Sequence, residues 1–386
     1  LMDAHVHLGA PGGYYQNPSD YNQPDVAERA LAAYLYSGVT TVRSTGDWLE
    51  NSLATRARIA ASQYEGAELF TAGPLFTAPG GHPTQMLHYV PENMRKSGEE
   101  QFVRLPASAD EARRMVRELK KRNVNLIKGV LEAGWDANPM KRMDVAILRA
   151  AVEEAKTLGL PVAIHTGSAK DVADAIEVGA TSIEHGSLTE ALPAELFTKM
   201  KERGIALVPT LCVAEGMVAF AAGDTSLLDR PLLQQAAPAK LLRDTKAMIN
   251  QPQLSAMRKG LMQAQFRLET ALENVRRAHA AGVMIVAGSD AGNPLVVHGP
   301  TTHHEMALLV RAGLKPAEAI QAATSNAARL LGIAGRTGTI AKGKEATFLV
   351  LDANPLEDIS ATERISVIMN KGERVGRPDL LTQKLE

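Results

Sequence analysis

The chain has 386 residues, of which 45% are hydrophobic and 22% are charged, and its formal net charge is -1. This length suits a large barrel with a small appendage better than one small domain. The balanced charge gives no electrostatic reason to expect nucleic acid or an anionic membrane as partner. No apolar run reaches the roughly 18–20 residues that cross a bilayer. The single cysteine, Cys212, excludes an internal disulfide and a cysteine-built metal site.

Short apolar runs alternate with longer amphipathic stretches over residues 1–334, which is typical of repeated βα units around a parallel sheet. The predicted strands are Met2–His7, Thr40–Arg43, Leu69–Ala72, Leu126–Gly129, Val162–His165, Ser182–His185, Ala206–Pro209 and Met284–Ser289. Helices are predicted, for example, at Asp110–Arg122, Asp144–Leu158, Ala169–Val178 and Arg258–Ala281. Eight such units favour the α/β class and a closed (β/α)8 TIM barrel. A doubly wound dinucleotide fold is rejected because Gly9–Gly13 lacks the required glycine spacing.

Two segments interrupt this alternation. Residues 74–107 carry several Gly and Pro and are predicted to form a long loop after the third strand. Residues 211–257 are predicted to form an insertion between strands seven and eight. Loops that follow barrel strands lie on the catalytic face, so both segments are expected to wall the substrate pocket.

The pattern changes in residues 335–386, where Gly338–Ile340, Glu345–Leu351 and Ile365–Asn370 are short β-type runs. A sheet of this size is too small to be stable alone, so we expect the C-terminal part of a β-sandwich. The chain begins at Leu1 rather than Met, and we expect the other half of the sandwich to lie in residues that precede it. A targeting segment would lie there too, so the compartment stays open.

Five side chains of metal-ligand type lie at predicted strand ends. His5 and His7 share one face of the first strand because side chains at i and i+2 point the same way. His165 and His185 end strands five and six, and Asp290 follows strand eight. The C-terminal ends of barrel strands meet at one face, so these groups are expected to converge. They predict a metal centre, with hydrogen-bonded core histidines as the alternative.

Lys128 lies on the fourth predicted strand and points into the barrel. A buried lysine is costly unless it is paired or neutral. A neutral amine can take up carbon dioxide and become a carbamate, whose two oxygens bridge two cations. We therefore predict the first-strand histidines on one cation, the other two on a second, and a carboxylated Lys128 between them. The alternative is a salt bridge from Lys128 to Glu132.

Asp290 is the predicted catalytic acid and base. Two cations about 3.5–4 Å apart favour ionisation of a shared water, and a carboxylate beside that water can move its proton to the leaving nitrogen. The alternative for Asp290 is a helix N-cap, although Gly292 and Pro294 follow it closely.

These motifs together resemble the amidohydrolase superfamily, in particular the branch of imidazolonepropionases and Xaa-Pro dipeptidases. The resemblance is carried by Asp3–His7, Lys128, His165–Gly167, Glu184–Gly186 and Gly288–Gly292, and it extends to Thr40–Arg43, Leu314–Gly332 and Gly338–Asn354. It implies two divalent metal ions, expected to be zinc, bound by His5, His7, His165, His185 and Asp290 with a carboxylated Lys128.

The substrate residues are less defined. Dipeptidase-like members carry a Gly-Gly-His-Gly loop after strand three, whereas this chain has Gly80-Gly81-His82-Pro83, and the proline puts Xaa-Pro cleavage in doubt. His82 is expected to polarise the scissile carbonyl or contact a substrate carboxylate, with a loop-stabilising role as the alternative. Arg43 could bind a substrate carboxylate or form a structural ion pair. Tyr14 could line the pocket or pack internally.

The sequence thus predicts a binuclear amidohydrolase that cleaves a C–N bond in a small molecule such as a dipeptide or an N-acyl amino acid. One alternative is a mononuclear cyclic-amide hydrolase, against which Lys128 counts. Another is a deaminase, which in this superfamily carries Glu three residues after the strand-five histidine, where this chain has Ser168. A catalytically silent scaffold is the remote alternative. The expected partner is the small-molecule substrate, and assembly into homo-oligomers stays open.

Overall fold

The computed structural model describes residues 1–17, 20–21, 25–90, 92–135 and 138–384, so the last two positions of the predicted 335–386 segment lie outside the described residues. The strands are β1 Met2–Val6, β2 Thr41–Ser44, β3 Glu68–Thr71, β4 Leu75–Phe76, β5 Val103–Arg104, β6 Ile127–Val130, β7 Gly134–Trp135, β8 Asn138–Pro139, β9 Val162–His165, β10 Ser182–Glu184, β11 Ala206–Val208, β12 Phe348–Leu351, β13 Ile365–Asn370 and β14 Glu373–Arg374. The chain is therefore of the α/β class.

Helices follow most of the parallel strands. They are α1 Val26–Tyr36, α2 Leu49–Ala60, α3 Arg95–Phe102, α4 Ala109–Lys121, α5 Val145–Thr157, α6 Ala169–Val178, α7 Ala194–Glu202, α8 Leu211–Ala222, α9 Pro231–Ala236, α10 Ala239–Met248, α11 Pro252–Gln263, α12 Leu268–Ala280, α13 Thr301–Arg311, α14 Pro316–Ala322, α15 Ser325–Leu330 and α16 Arg377–Leu380. Their starts follow local sequence rules: Ser108, for example, caps α4 by accepting a hydrogen bond from the Glu111 amide. None of the helices in the described part of the chain is long and apolar enough to cross a membrane.

Two parallel sheets carry the site, with strand orders β1-β2-β3 and β11-β10-β9-β6-β4-β5. They are linked where the Asn125 amide, just before β6, donates to the Thr71 carbonyl at 2.9 Å. In register, Lys128 lies beside Ala163, and His165 lies beside Glu184. The shared register brings the C-terminal ends of these strands to one edge.

The predicted eighth strand, Met284–Ser289, has isolated parallel bridges instead of a continuous ladder, at Ile285 and at Ala291. The segment nevertheless hydrogen-bonds on both sides. On one side, the Leu207 amide donates to the Met284 carbonyl at 3.0 Å; on the other, the Ala4 amide donates to the Ala287 carbonyl at 2.9 Å. Residues 284–291 therefore lie between β11 and β1 and connect the two sheets a second time.

The two interrupting segments contain more regular structure than the sequence predicts. Residues 74–107 include β4, β5, two 3₁₀ turns and α3, and residues 211–257 fold into helices. The predicted single helix Arg258–Ala281 is wrong: it is divided into α11 and α12 near Gln265, which has a φ of +56°. Buried apolar side chains of α8–α11 pack against Leu295 and Val297, so this insertion covers the segment that follows Asp290.

The C-terminal part forms the antiparallel sheet β12-β13-β14. Gly338–Ile340, predicted as a β run, is not a strand. The sheet packs through Leu349 and Ile368 against Leu35 of α1. His303 of α13 ties the two parts together, because its Nδ1 lies 3.0 Å from the Thr362 hydroxyl and its Nε2 donates to the Ser37 carbonyl.

Candidate metal centre

The strand ends bring four histidines into contact. His5 lies in β1 and His7 directly follows this strand, and their ring centroids are 5.4 Å apart. The His185 ring, directly after β10, lies 4.9 Å from that of His5 and 4.4 Å from that of His165. Asp290 joins them from the loop after residue 288, with its Oδ1 3.2 Å from His7 Nε2 and 3.6 Å from His5 Nε2. Side chains from four separate segments therefore form one cluster.

One nitrogen of each imidazole is held by a hydrogen bond to a residue outside the cluster. The pairs are His5 Nδ1 with Glu184 Oε2 at 2.6 Å, His7 Nδ1 with the Gly46 carbonyl at 2.7 Å, His185 Nδ1 with Thr210 Oγ1 at 2.6 Å, and His165 Nε2 with Glu132 Oε2 at 3.0 Å. Such partners fix the orientation and tautomer of metal-binding histidines. The opposite nitrogen of each ring, Nε2 in three and Nδ1 in His165, is thus available as a ligand atom.

The protonation of the buried imidazoles in the cluster suits the binding of a cation. Within the described chain, His5 Nε2 has no hydrogen-bond partner although it is buried. Burial lowers the pKa of His5 to about 4 and holds that of His185 well below the usual value, so both rings are neutral. Neutral imidazole and carboxylate are good ligands for zinc and similar ions. The residues present therefore fit divalent metal ions.

Lys128 is buried beside these rings, with 1% of its surface exposed. Its Nζ makes no hydrogen bond to any residue that the structure describes. The alternative salt bridge to Glu132 is wrong, because the Glu132 carboxylate pairs with His165 and His82 instead. Burial lowers the pKa of Lys128 from 10.5 to about 8, which makes the neutral amine accessible near neutral pH.

Asp290 is 5% exposed and adopts a left-handed φ of +57°, which is strained for a residue other than glycine. Burial alone would raise the pKa of Asp290, but the neighbouring His5 and His7 hold it well below its usual value, so the group is a carboxylate. The alternative role as a helix N-cap is wrong, since the next helix begins at Thr301.

Of the residues predicted to contact the substrate, His82 lies beside the cluster and Tyr14 lies against the helical insertion. His82 lies beside the cluster: its ring stacks on His165 with centroids 4.9 Å apart, and its Nδ1 is 2.9 Å from Gln85 Nε2. Tyr14 stacks on Phe220 at 5.7 Å and its hydroxyl donates to the Met257 sulfur. Tyr14 thereby contacts the helical insertion.

Arg43 requires a correction. Its guanidinium is 3% exposed and bonds both oxygens of Glu184 at 2.9 and 3.0 Å, while its Nε donates to the Ala4 carbonyl. It therefore forms the structural ion pair that was the alternative, and its substrate-binding role is wrong. Through Glu184 it orients His5.

Three residues that hold the site, Asp3, Glu184 and Thr210, were given no role from the sequence, although Asp3 and Glu184 belong to motifs that carry the family resemblance. The Asp3 carboxylate accepts hydrogen bonds from the Ser289 amide at 2.9 Å and the Thr302 hydroxyl at 2.8 Å, and so fixes the turn that carries Asp290. The available signal is position: Asp3 and Glu184 lie on the same strand ends as the ligands.

Comparisons with known proteins identify the family of this chain. The profile described as the amidohydrolase family matches residues 1–375. An ochratoxinase from Aspergillus niger is 26% identical over 388 aligned positions, which cover 93% of this chain and 70% of that protein. The crystal structure of a Xaa-Pro dipeptidase with methionine bound in its active site is similar at 27% identity, with a TM-score of 0.74, and covers 97% of this chain and 85% of that one.

A putative prolidase from Bifidobacterium longum is similar at 28% identity, with a TM-score of 0.69 over 98% of this chain and 80% of that one. The family profile spans nearly the whole length and includes every strand end of the cluster. The chain belongs to the amidohydrolase family and is a hydrolase that acts on carbon–nitrogen bonds.

Proposed function

We propose that this chain is a binuclear metal-dependent amidohydrolase that cleaves the amide bond of a dipeptide or an N-acyl amino acid. The observation that carries the proposal is the set of four imidazoles, each held at one nitrogen, around a buried Lys128 amine without a hydrogen-bond partner among the described residues. The similar dipeptidase and prolidase structures support an amide substrate.

The fold that we propose for residues 1–334 is a closed (β/α)8 barrel. Strands β1, β2, β3, β6, β9, β10 and β11, with residues 284–291 as the eighth, would form its wall. Support comes from the hydrogen bonds at both seams, between β3 and β6 and between the 284–291 segment and its two neighbours. Residues 335–386 would be a separate β-sandwich portion.

The metal ligands would divide between two zinc ions. His5 and His7 would bind one ion through Nε2. His165 would bind the other through Nδ1, together with His185 through Nε2. Lys128, carboxylated, would bridge them, and Asp290 would complete the set. The lowered pKa of Lys128 supports this, because carbamate formation needs the neutral amine.

In the reaction, bound divalent cations supply Lewis acidity, which polarises a carbonyl group and favours ionisation of water. The Asp290 carboxylate would accept a proton from the attacking water at Oδ1 and would deliver it to the departing nitrogen. His82, whose ring stacks on that of His165, would donate a hydrogen bond to the carbonyl oxygen as negative charge develops there. Arg43 and Glu184 keep His5 in its orientation throughout.

Deamination is disfavoured by Ser168, whose side chain forms a capping box with Asp171 at the start of α6. This residue stabilises a helix end and carries no carboxylate for proton transfer. A mononuclear cyclic-amide hydrolase would need neither a carbamate nor a second ion, so a metal count separates it from our proposal. A silent scaffold would show no turnover of any substrate.

The test is a screen of the zinc-loaded enzyme against dipeptides, N-acyl amino acids, lactams and aryl ureas. We expect an amide substrate to be hydrolysed and its kcat to fall about 10²–10⁴-fold in Asp290→Asn, because proton transfer is lost. Asp110→Asn is the matched control, since the Asp110 side chain is 97% exposed on α4. Hydrolysis that survives Asp290→Asn unchanged would refute the assigned role, and release of ammonia from a ring amine would favour a deaminase.

A further inference from the structure

The side chains in and beside the cluster differ in their exposure to solvent. The His7 and His82 side chains are 26% and 25% exposed, His165 is 17% exposed and Glu132 is 14% exposed, whereas Asp290 and His185 are both at 7%. A substrate that approaches the cluster therefore meets the rim formed by His7, His82, Glu132 and His165. Glu132 is the one carboxylate of this rim.

Only one of the two carboxylate oxygens of Glu132 contacts the imidazoles beside it. Oε2 lies 3.0 Å from His165 Nε2 and 3.8 Å from His82 Nδ1, while Oε1 makes no hydrogen bond to a described residue. The neighbouring Gly167 leaves the carboxylate uncovered: a Cβ at this position would stand 3.2 Å from Glu132 Cγ and 3.7 Å from Oε1. Glu132 thus has a free acceptor beside the cluster.

No cation of the described chain neutralises this carboxylate. Its ion-pair partners are the imidazoles of His165 and His82, and no lysine or arginine of the described ranges pairs with it. Asp171 at the start of α6, in contrast, is paired with Arg142. Because its partners are imidazoles alone and its Oε1 accepts no hydrogen bond from a described residue, the Glu132 carboxylate is complementary to a positively charged ligand.

The same rim offers little to a substrate carboxylate. Arg43, the guanidinium nearest to the strand ends in sequence, is buried and fully engaged by Glu184. Lys128 is enclosed behind the histidines, at 1% exposure. Of the side chains that form the rim, Glu132 alone is acidic and none is a lysine or an arginine, so the rim itself complements a positively charged group.

We propose that Glu132 binds the protonated α-amino group of the substrate, so that the enzyme acts on amides of free amino acids, such as dipeptides, in preference to N-acyl amino acids. This inference rests on the proposed amide hydrolysis and selects between the two substrate classes left open above. In such a substrate the ammonium is attached to the carbon next to the scissile carbonyl, so carbonyl and ammonium reach the cluster and its rim together.

The experiment compares two ligands that differ only in the ammonium: L-alanyl-L-phenylalanine and propionyl-L-phenylalanine, with the corresponding Leu, Met and Pro pairs. Wild-type zinc enzyme is expected to favour the dipeptide in kcat/KM by at least about tenfold, the usual effect of a hydrogen bond to a charged group. In Glu132→Gln this ratio is expected to fall to near 1. If the substitution also disturbs His165, kcat/KM falls equally for both substrates, and the ratio of the two values stays unchanged.

Glu190→Gln is the matched control. Glu190 is exposed and its carboxylate accepts a hydrogen bond from the Ala169 amide, so the variant removes one negative charge near the same strand ends without touching the rim. It is expected to keep the wild-type preference. A preference that is absent from the wild type, or that persists in Glu132→Gln, would overturn the inference while leaving amide hydrolysis intact.

If none of the pairs is hydrolysed, the proposed function fails for these substrates, and the inference is decided by binding. Calorimetry on the zinc-loaded Asp290→Asn variant then compares the dipeptide with its propionyl partner, with and without Glu132→Gln. Equal affinities would overturn the inference. A third zinc ion per chain, lost in Glu132→Gln, would also overturn it, because the rim would then hold a metal instead of an ammonium.

Discussion

Replacement of Lys128 by methionine is predicted to stabilise the metal-free protein and to abolish its activity. The lysine is 1% exposed, and burial lowers its pKa from 10.5 to about 8. Because each pKa unit corresponds to about 1.4 kcal/mol, the charged ammonium costs the folded state at most about 3 kcal/mol at neutral pH. Methionine fills a similar volume without charge, so we expect a gain of about 1–3 kcal/mol in the free energy of unfolding.

The gain should depend on pH in a defined direction. The pKa of Lys128 is lower in the folded state than the unfolded value of 10.5, so the unfolded chain binds the additional proton between pH 8 and 10.5. Wild-type stability therefore rises with pH across this window relative to Lys128→Met. The difference between the two proteins is largest below pH 8 and disappears above pH 10.5.

The assay is urea unfolding of chelator-treated protein, with zinc-dependent turnover measured separately. Lys120→Met, at an exposed position of α4, is the control and should change stability by less than about 0.5 kcal/mol. The reasoning is refuted if Lys128→Met destabilises the metal-free protein at pH 7, since the ammonium would then be paired in the fold. Full activity of the variant would refute the bridging role.

Three further predictions concern residues that the structure connects to the site. Thr210→Val removes the hydroxyl at His185 Nδ1, and cobalt titration should detect a roughly tenfold or larger loss of metal affinity; unchanged affinity would mean that packing alone orients the ring. Burial raises the pKa of Glu305 to about 8 from 4.5, so wild-type stability should fall relative to Glu305→Gln as pH rises from 4.5 to 8, and a pH-independent difference in urea unfolding would contradict this. Ser168→Ala should cost about 1 kcal/mol of stability through the lost cap of α6 with kcat unchanged, whereas a large fall in kcat would argue for a role in proton transfer.

The positions of the ligand-type residues were accessible from the sequence because they depend on local rules. The two-residue spacing of His5 and His7 fixes a shared face of β1, and parallel strands end at a common edge. The structure brings these residues together with His165, His185 and Asp290. The family relationship is confirmed by the profile match.

The contacts that orient these residues were not accessible in the same way. Glu184 meets His5 from 179 positions away in the chain, and Thr210 meets His185 from 25 positions away. No spacing rule relates such pairs, since their distance depends on strand order and register. Arg43 was misassigned for this reason: its partner is a carboxylate on a distant strand.

The prediction of helix boundaries failed where the backbone leaves the helical region without a proline or a glycine. The break lies within a continuous amphipathic pattern, where Gln265 has a φ of +56° and Arg267 is extended, so that α11 ends at Gln263 and α12 begins at Leu268. The predicted eighth strand, Met284–Ser289, is not a continuous strand, and this part of the chain has only isolated bridges, to β11 at Ile285 and to β1 at Ala291.

The central claim is that two cations and a carboxylated Lys128 occupy the cluster of imidazoles. A crystal structure of the zinc-loaded enzyme, grown with bicarbonate and measured at the zinc absorption edge, tests it directly. The account predicts two anomalous peaks per chain and additional density that extends Lys128 Nζ into a carbamate between them. A single peak, or an unmodified lysine between two peaks, would contradict it.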